Sequence, residues 1–190
     1  HAEIHLIKHV VIAMVGLFLT YLCYNTHYTV YSKLAPILFV MSIPLLLYTM
    51  LFGPEINDAR RWISIPGIGL SFQTSDIASI ALIMYIARSI SMKQDVIKDF
   101  KSAFLPLMVP IILICGLIAP NNLSTAMLLF ATSMTLMFIG RVHMKYILLL
   151  VAIGVAFMGG LVLLGMIFPD AVRVETWTSR FGEFFNNSDG

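Results

Sequence analysis

The stretch LAPILFVMSIPLLLYTMLF, residues 34–52, is almost entirely apolar and contains no charged side chain. As a helix it matches the ~20 residues that cross the hydrocarbon core of a bilayer. In the whole chain of 190 residues, 59% are hydrophobic and only 12% are charged, which exceeds what one soluble core requires. The sequence therefore predicts an integral membrane protein.

Five further apolar spans accompany this one, and the six together predict an all-α, polytopic transmembrane helical bundle. Their bounds are 6–24, 77–90, 104–118, 123–139 and 146–168. The spans at 77–90 and 104–118 are short, so they could extend into their polar flanks, tilt little, or lie where the bilayer is thinned. No linker or repeat divides the sequence, which predicts a single membrane domain over 1–190.

The basic residues predict the orientation of the bundle. If the spans alternate, the loops on one side of the membrane carry seven lysines and arginines and two acidic residues, a net charge of +5. The segments on the other side carry five lysines and arginines and eight acidic residues, a net charge of −3. Because cytoplasmic loops retain lysine and arginine, residues 53–76 and 169–190 are predicted to face outward. A chain that starts outside needs a helix before it, so we expect an internal fragment of a larger protein.

The outward loop carries NDARRWISIPGIGLSFQTSD at 57–76, with Arg60, Arg61 and Trp62 at the bilayer edge. Guanidinium groups bind phosphate oxygens bidentately, and an indole settles at the membrane interface. These residues are thus candidates for binding an anionic, lipid-linked substrate. Ordinary anchoring to headgroups explains them equally well. The ISIPGIG run predicts an irregular or strand-like turn.

A second polar cluster, SFQTSD at 71–76, directly precedes the third span. It reads as a helix start with Thr74 or Ser75 as the N-cap and Asp76 in the first turn. Capping alone would account for the serine and the aspartate. Gln73, Ser75 and Asp76 remain candidate substrate ligands.

A third polar cluster, PNNLST at 120–125, forms a tight turn before the fifth span. Asn122, Ser124 and Thr125 are candidate ligands here, and capping is again the alternative. The three clusters open on one side, so bundled helices would bring them together around one outward cavity. The histidines lack a metal-binding pattern such as HExxH, and no metal site is predicted.

The strings DARRW, FQTSD and PNNLST, in this order and with these intervening helices, resemble GARRW, FQPSE and PDLGT of the SEDS family, FtsW and RodA. The resemblance covers essentially the whole chain and makes the six spans helices two to seven of ten. The QTSD and RVETW strings resemble the FtsW of Bacteroidota in particular. The chain departs from the family pattern at Asn122, where an acidic residue is usual, and at Ser79, where a lysine is common.

The resemblance implies a peptidoglycan glycosyltransferase that polymerises lipid II, an undecaprenyl-pyrophosphate-linked disaccharide pentapeptide, during septal wall synthesis. It implies the bacterial cytoplasmic (inner) membrane, motif loops facing the periplasm, a class B penicillin-binding protein and other divisome proteins as partners, and no nucleic acid. A divalent metal is a candidate cofactor. A lipid II flippase and a non-catalytic division scaffold are the alternatives.

The family's essential aspartate lies late in the outward loop after helix seven. The resemblance therefore places no catalytic residue in this chain, and we expect the fragment alone to be inactive. What it implies for the chain is a substrate-binding set consisting of Arg60, Arg61, Trp62, Gln73, Ser75, Asp76, Asn122, Ser124 and Thr125.

Overall fold

The computed structural model describes residues 2–53, 62–65 and 70–167. It contains helices α1 (Ala2–Asn25), α2 (Tyr28–Phe52), α3 (Thr74–Met92), α4 (Leu105–Ile118), α5 (Leu123–Ile139) and α6 (Met144–Ile167), and strands β1 (Trp62–Ile65) and β2 (Leu70–Gln73). A 3-10 turn, Gln94–Val96, and a π-helical turn, Phe100–Phe104, connect α3 to α4. The prediction of six helical spans is confirmed, and the predicted outward segment 169–190 lies outside the described residues.

Three of the helical segments are long and apolar enough to cross a membrane: Tyr28–Phe52, Thr74–Met92 and Phe100–Ile118. The last two contain the spans that looked short in the sequence. Both extend beyond the predicted apolar run: α3 begins at Thr74, before residue 77, and the π-helical turn from Phe100 continues directly into α4. Extension into the flanks is therefore how these two spans reach membrane-crossing length.

The turn before α4 is fixed by a side-chain cap. The Asp99 carboxylate accepts a hydrogen bond from the Ser102 backbone N–H at 2.9 Å. Hydrogen bonds from the Ser102 side chain and backbone lower the pKa of Asp99. A carboxylate that caps in this way satisfies a donor that the helix start leaves unpaired.

The chain forms two compact units, residues 1–34 and 35–190. In the first, the Tyr31 hydroxyl donates to the Cys23 carbonyl at 2.7 Å and ties the start of α2 to the end of α1. The second holds one apolar core, in which α3 packs against both α4 and α5. Leu82, Ile86 and Ile111 are fully buried there. A single domain over 1–190 stays a prediction.

Strands β1 and β2 form an antiparallel hairpin. Of the ISIPGIG run predicted as an irregular or strand-like turn, residues 63–65 lie in β1 and residues 66–69 lie outside the described residues. Trp62 pairs with Gln73 at the open end of the hairpin, and Ile65 pairs with Leu70 near the turn. Since α3 begins at the residue after Gln73, the open end of the hairpin adjoins the start of that helix.

Gly140 at the end of α5 allows close packing against α3. A β-carbon there would lie 2.5 Å from Cγ2 of the buried Ile90 and 3.1 Å from the Leu136 carbonyl oxygen. Gly140→Ala should therefore destabilise the protein by about 1–3 kcal/mol through overpacking, measured as thermal unfolding in detergent. Gly16→Ala is the control, because a β-carbon at Gly16 meets nothing within 4 Å. Equal melting temperatures for Gly140→Ala and wild type would contradict this packing.

Candidate functional site

A small, partly open cavity of about 20 Å³, room for about one water molecule, lies between α2, the start of α3 and the turn from α4 to α5. Its apolar wall consists of Leu46, Leu117 and Ile118. Its polar wall consists of hydroxyl and amide side chains, contributed by Thr49, Thr74, Ser75, Asn121 and Asn122. Among the described residues, the lining therefore offers hydrogen bonds and no charged side chain.

The start of α3 supplies two of these hydroxyls. Thr74 and Ser75 are 1% and 3% exposed. The N-cap position is Gln73, with extended backbone and no side-chain capping bond, so the prediction of Thr74 or Ser75 as the cap is wrong. The cap lies one or two residues earlier than predicted because β2 runs directly into the helix, which leaves both hydroxyls inside the first turn and at the cavity.

The hydroxyls around the cavity differ in their hydrogen bonds. Thr49 donates to the carbonyl of Leu45 in its own helix at 2.8 Å. The Gln73 amide nitrogen donates to the Ser75 hydroxyl oxygen at 2.5 Å. For the Thr74 hydroxyl, no hydrogen-bond partner is found among the residues that the structure describes.

The turn from α4 to α5 supplies the amides. The backbone N–H groups of Asn121 and Asn122 both donate to the Ile118 carbonyl, at 3.2 and 2.8 Å, which makes the turn tight. The Asn122 side-chain oxygen caps α5 by accepting from the Thr125 N–H at 3.3 Å. Capping thus uses one side of this amide and leaves its NH₂ group for other partners.

The structure brings two of the three predicted clusters together, since Ser75 and Asn122 line the same cavity. Asp76 lies in the first turn of α3 as predicted, but it is exposed and is not part of the lining. Ser124 is exposed and Thr125 is half-buried, and neither lines the cavity.

Trp62 is half-buried in β1 and is the cross-strand partner of Gln73. The hairpin therefore connects the tryptophan to the helix start that forms part of the cavity. Arg60 and Arg61 lie outside the described residues. They immediately precede Trp62 in the sequence.

Sequence reasoning missed three polar cavity residues: Thr49, Thr74 as a lining residue, and Asn121. Thr49 is 1% exposed and lies near the end of α2 that leads to the hairpin. A threonine within the apolar stretch 34–52 could have indicated a residue that faces the bundle interior, because small polar residues in membrane helices do so.

The part of the lining that the structure describes does not fit the divalent metal that was a candidate cofactor. Hydroxyls and amides line the cavity, whereas Mg²⁺ and Ca²⁺ sites in proteins rely on carboxylates. Among the described residues, no group of three or more histidine, cysteine, aspartate or glutamate side chains is close enough to hold a metal ion.

Comparisons with known proteins give the chain its family. The family model of the FtsW, RodA and SpoVE proteins, described as "Cell cycle protein", matches residues 1–189. The chain belongs to the FtsW, RodA and SpoVE family. The family predicted from the three polar strings is thereby confirmed, while the closer resemblance to FtsW of Bacteroidota stays a prediction.

Two curated members of the FtsW, RodA and SpoVE family illustrate the similarity. Both are named "Probable peptidoglycan glycosyltransferase FtsW". The protein of Geobacter sp. strain M18 is 33% identical over 139 residues, which is 72% of this chain. That of Trichlorobacter lovleyi is 33% identical over 144 residues, or 74% of this chain. The chain spans 37% of the length of each relative.

Two solved structures share the fold. The rod shape determining protein RodA of Thermus thermophilus matches 74% of this chain and 46% of its own, with a TM-score of 0.61 and 23% identity. A chain from a study of "polymerization and crosslinking by a peptidoglycan synthase complex" matches 89% of this chain and 48% of its own, with a TM-score of 0.66 and 22% identity. The family match and the helical segments long and apolar enough to cross a bilayer together make this chain a multi-pass membrane protein.

Proposed function

We propose that this chain carries the substrate-binding half of a peptidoglycan glycosyltransferase that polymerises lipid II during septal cell-wall synthesis. The observation that carries the proposal is the convergence of hydroxyl and amide side chains from α2, α3 and the α4–α5 turn on one cavity. The curated relatives with that activity in their names support the reaction class.

Lipid II is an amphiphile, and the chain offers matching surfaces for it. Its polyprenyl tail belongs in the bilayer, next to apolar helices, and its pyrophosphate belongs at the membrane edge. In this proposal Arg60 and Arg61 are the cations for that pyrophosphate, and Trp62, the next residue in the sequence, lies at the membrane interface. Gln73, the partner of Trp62 in the hairpin, leads directly to the cavity-lining Thr74.

Polymerisation needs a base for the acceptor hydroxyl and positive charge for the leaving pyrophosphate. In this proposal the arginines stabilise the developing charge on the pyrophosphate. The hydroxyl and amide side chains around the cavity offer hydrogen bonds that orient part of the substrate. In this proposal the base is a residue of the full-length protein outside this chain. Asp76 is exposed in the first turn of α3, next to the cavity-lining Ser75, but it is assigned no catalytic role.

The proposed location is the bacterial cytoplasmic membrane, with the hairpin and the α4–α5 turn on the periplasmic side. The excess of lysine and arginine on the opposite loops supports this orientation. A class B penicillin-binding protein is the proposed partner, together with other divisome proteins. A structural relative that comes from a peptidoglycan synthase complex supports such a partnership.

The proposal is tested with the full-length protein and its partner in proteoliposomes that carry lipid II already in the leaflet facing the hairpin. We expect glycan chains longer than the disaccharide, detected by gel electrophoresis. A pure flippase would form none from substrate supplied on that side. A scaffold would form none either, and in addition substitutions in the polar clusters would leave division unaffected.

A further inference from the structure

The turn from α5 to α6 places an arginine in a backbone conformation that favours glycine. Arg141 has a φ of 61°, and no other non-glycine residue in the described part of the chain has a positive φ. Its N–H donates to the Phe138 carbonyl at 3.1 Å. The N–H of Val142 donates to the Met137 carbonyl, also at 3.1 Å. This pair of bonds is a Schellman motif, whose left-handed position is usually glycine because a β-carbon there is unfavourable. Folding of the turn alone therefore does not call for arginine.

A second cation follows in the first turn of α6. Lys145 lies four residues after Arg141, and both side chains are exposed. The dipole of α5 favours a cation at its C-terminal end, near Arg141, but the dipole of α6 opposes Lys145 at its N-terminal end. Neither side chain forms a hydrogen bond or an ion pair within the residues that the structure describes. Both cations can therefore bind an anion from outside the chain.

Aromatic packing fixes the position of this turn. The Tyr146 ring stacks on Phe104 at a centroid distance of 5.0 Å and meets the ring of Phe100 edge-on at 5.4 Å. The His143 ring, which lies between the two cations in the sequence, is 5.6 Å from that of Tyr146. Phe100 and Phe104 belong to the π-helical turn before α4. The start of α6 is thus held against the α3–α4 connection, and the two cations lie on a packed turn.

The charge around this turn is positive. The α3–α4 connection adds Lys93, Lys98 and Lys101 but only two acidic residues, Asp95 and Asp99. The Asp99 carboxylate already accepts a hydrogen bond in the cap of the π-helical turn. Together with the two cations of the α5–α6 turn, these residues carry a net charge of +3. An anion that approaches this end of the bundle is therefore attracted.

We infer that the basic turn, residues 141–145, binds the phosphate of an anionic phospholipid. A guanidinium binds two phosphate oxygens at once, and a nearby lysine adds a second charge. Exposed apolar side chains flank the basic turn on both helices, with Phe138 and Ile139 at the end of α5 and Met144 and Leu148 in α6. An acyl chain that continues from the phosphate would cover them, whereas an acidic peptide in water would not. The surface therefore favours a lipid as its partner.

Membrane orientation alone does not explain the basic turn. Positive charge at any exposed loop position orients a membrane protein. The three lysines of the α3–α4 connection already supply such charge, and none of them needs a left-handed backbone for it. A lipid site here is also independent of the proposed function, because the cavity lies where α3 and α5 begin and the basic turn lies where they end.

The test uses the full-length protein in nanodiscs with spin-labelled phosphatidylglycerol or phosphatidylcholine, which have matched acyl chains and differ in headgroup charge. The fraction of each lipid that the protein immobilises gives its relative affinity. We expect wild type to prefer phosphatidylglycerol. Arg141→Gly with Lys145→Gln should reduce that preference about tenfold or more, because each basic residue near an anionic lipid contributes about a factor of five. Binding of phosphatidylcholine should stay within about twofold of wild type.

Three further variants complete the design. Lys98→Gln with Lys101→Gln is the matched control, since it removes the same charge from exposed positions of the neighbouring connection. It should leave the preference within about twofold of wild type. Lys145→Gln alone leaves the Schellman motif unchanged and should lower the preference about fivefold. Arg141→Gly in phosphatidylcholine nanodiscs should unfold at the wild-type temperature or above, because glycine suits the left-handed position.

Three results would each show that the basic turn is not a lipid site. The first is an unchanged preference in the double variant, or in Lys145→Gln alone should the double variant not fold. The second is an equal loss of preference in the lysine control, which would indicate general attraction to positive charge. The third is a lower unfolding temperature of Arg141→Gly in phosphatidylcholine, because the arginine would then stabilise the turn itself. None of these results bears on lipid II polymerisation, so the proposed function stands or falls separately.

Discussion

Replacement of Arg60 and Arg61 by glutamine should slow lipid II polymerisation by about 100-fold or more. Hydrogen bonds to charged groups contribute about 1.5–3 kcal/mol each. Losing two guanidinium contacts to the pyrophosphate therefore removes about 3 kcal/mol or more, and each 1.4 kcal/mol is a factor of ten. Glutamine keeps a polar side chain of moderate length but cannot neutralise phosphate.

The measurement is the initial rate of glycan formation by the full-length protein with its partner, at several lipid II concentrations. Lys98→Gln with Lys101→Gln is the matched control, because both lysines are exposed on the α3–α4 connection and the double variant removes the same charge. We expect this control to keep at least half of the wild-type rate. Headgroup anchoring becomes the better explanation of Arg60 and Arg61 if their replacement leaves the rate unchanged.

Phe104→Ala should destabilise the fold by about 3 kcal/mol, as large-to-small substitutions of buried aromatic residues do. Phe104 is fully buried at the π-helical turn before α4. Its ring stacks on Tyr146 of α6 at a centroid distance of 5.0 Å and lies 5.4 Å from the ring of Phe100. Alanine would leave a cavity at the point where α6 contacts this turn.

This loss is measured as unfolding in a graded denaturant in detergent micelles, followed by circular dichroism. Phe138→Ala is the control, because Phe138 is 63% exposed on α5 and its truncation opens no internal cavity. The control should unfold within about 0.5 kcal/mol of wild type. Equal destabilisation by the two variants would show that burial of Phe104 does not stabilise the bundle.

The helices could be predicted from the sequence because each span is a continuous apolar run. Their ends were less accessible. The third span was predicted to start at residue 77, whereas α3 starts at Thr74. An apolar run of sequence ends at the edge of the bilayer, but the helix can continue into the polar residues beyond it as long as its backbone hydrogen bonds continue. The polar flank therefore had to be seen in the structure.

The candidate site was predictable in its general position and less so in its members. Ser75 and Asn122 were predicted because their turns open on the same side, and they do line one cavity. Thr49 and Asn121 were not selected, since whether a polar side chain of a helix or turn reaches a cavity depends on how α2, α3 and α4 pack. The local sequence alone does not determine how these helices pack.

The capping residue of α3 shows a second limit. Serine, threonine and aspartate before an apolar run favour a side-chain cap, and the pattern 71–76 fitted that rule. In the structure the position belongs to Gln73, because the strand before it already determines the backbone direction. A neighbouring strand pair can thus override a local preference that would hold in an isolated helix.

The pairing of Trp62 with Gln73 at the open end of the hairpin has a consequence for how the chain can vary in length. Two residues added at the turn, one beyond each strand, would lengthen the hairpin away from α3 and leave this pair in place. One residue added within Trp62–Ile65 would instead shift the register and turn every following side chain to the other face. The length of β1 is therefore constrained by the pair that joins Trp62 to the residue before the cavity-lining Thr74, whereas length added after Ile65 and before Leu70 leaves that pair in place.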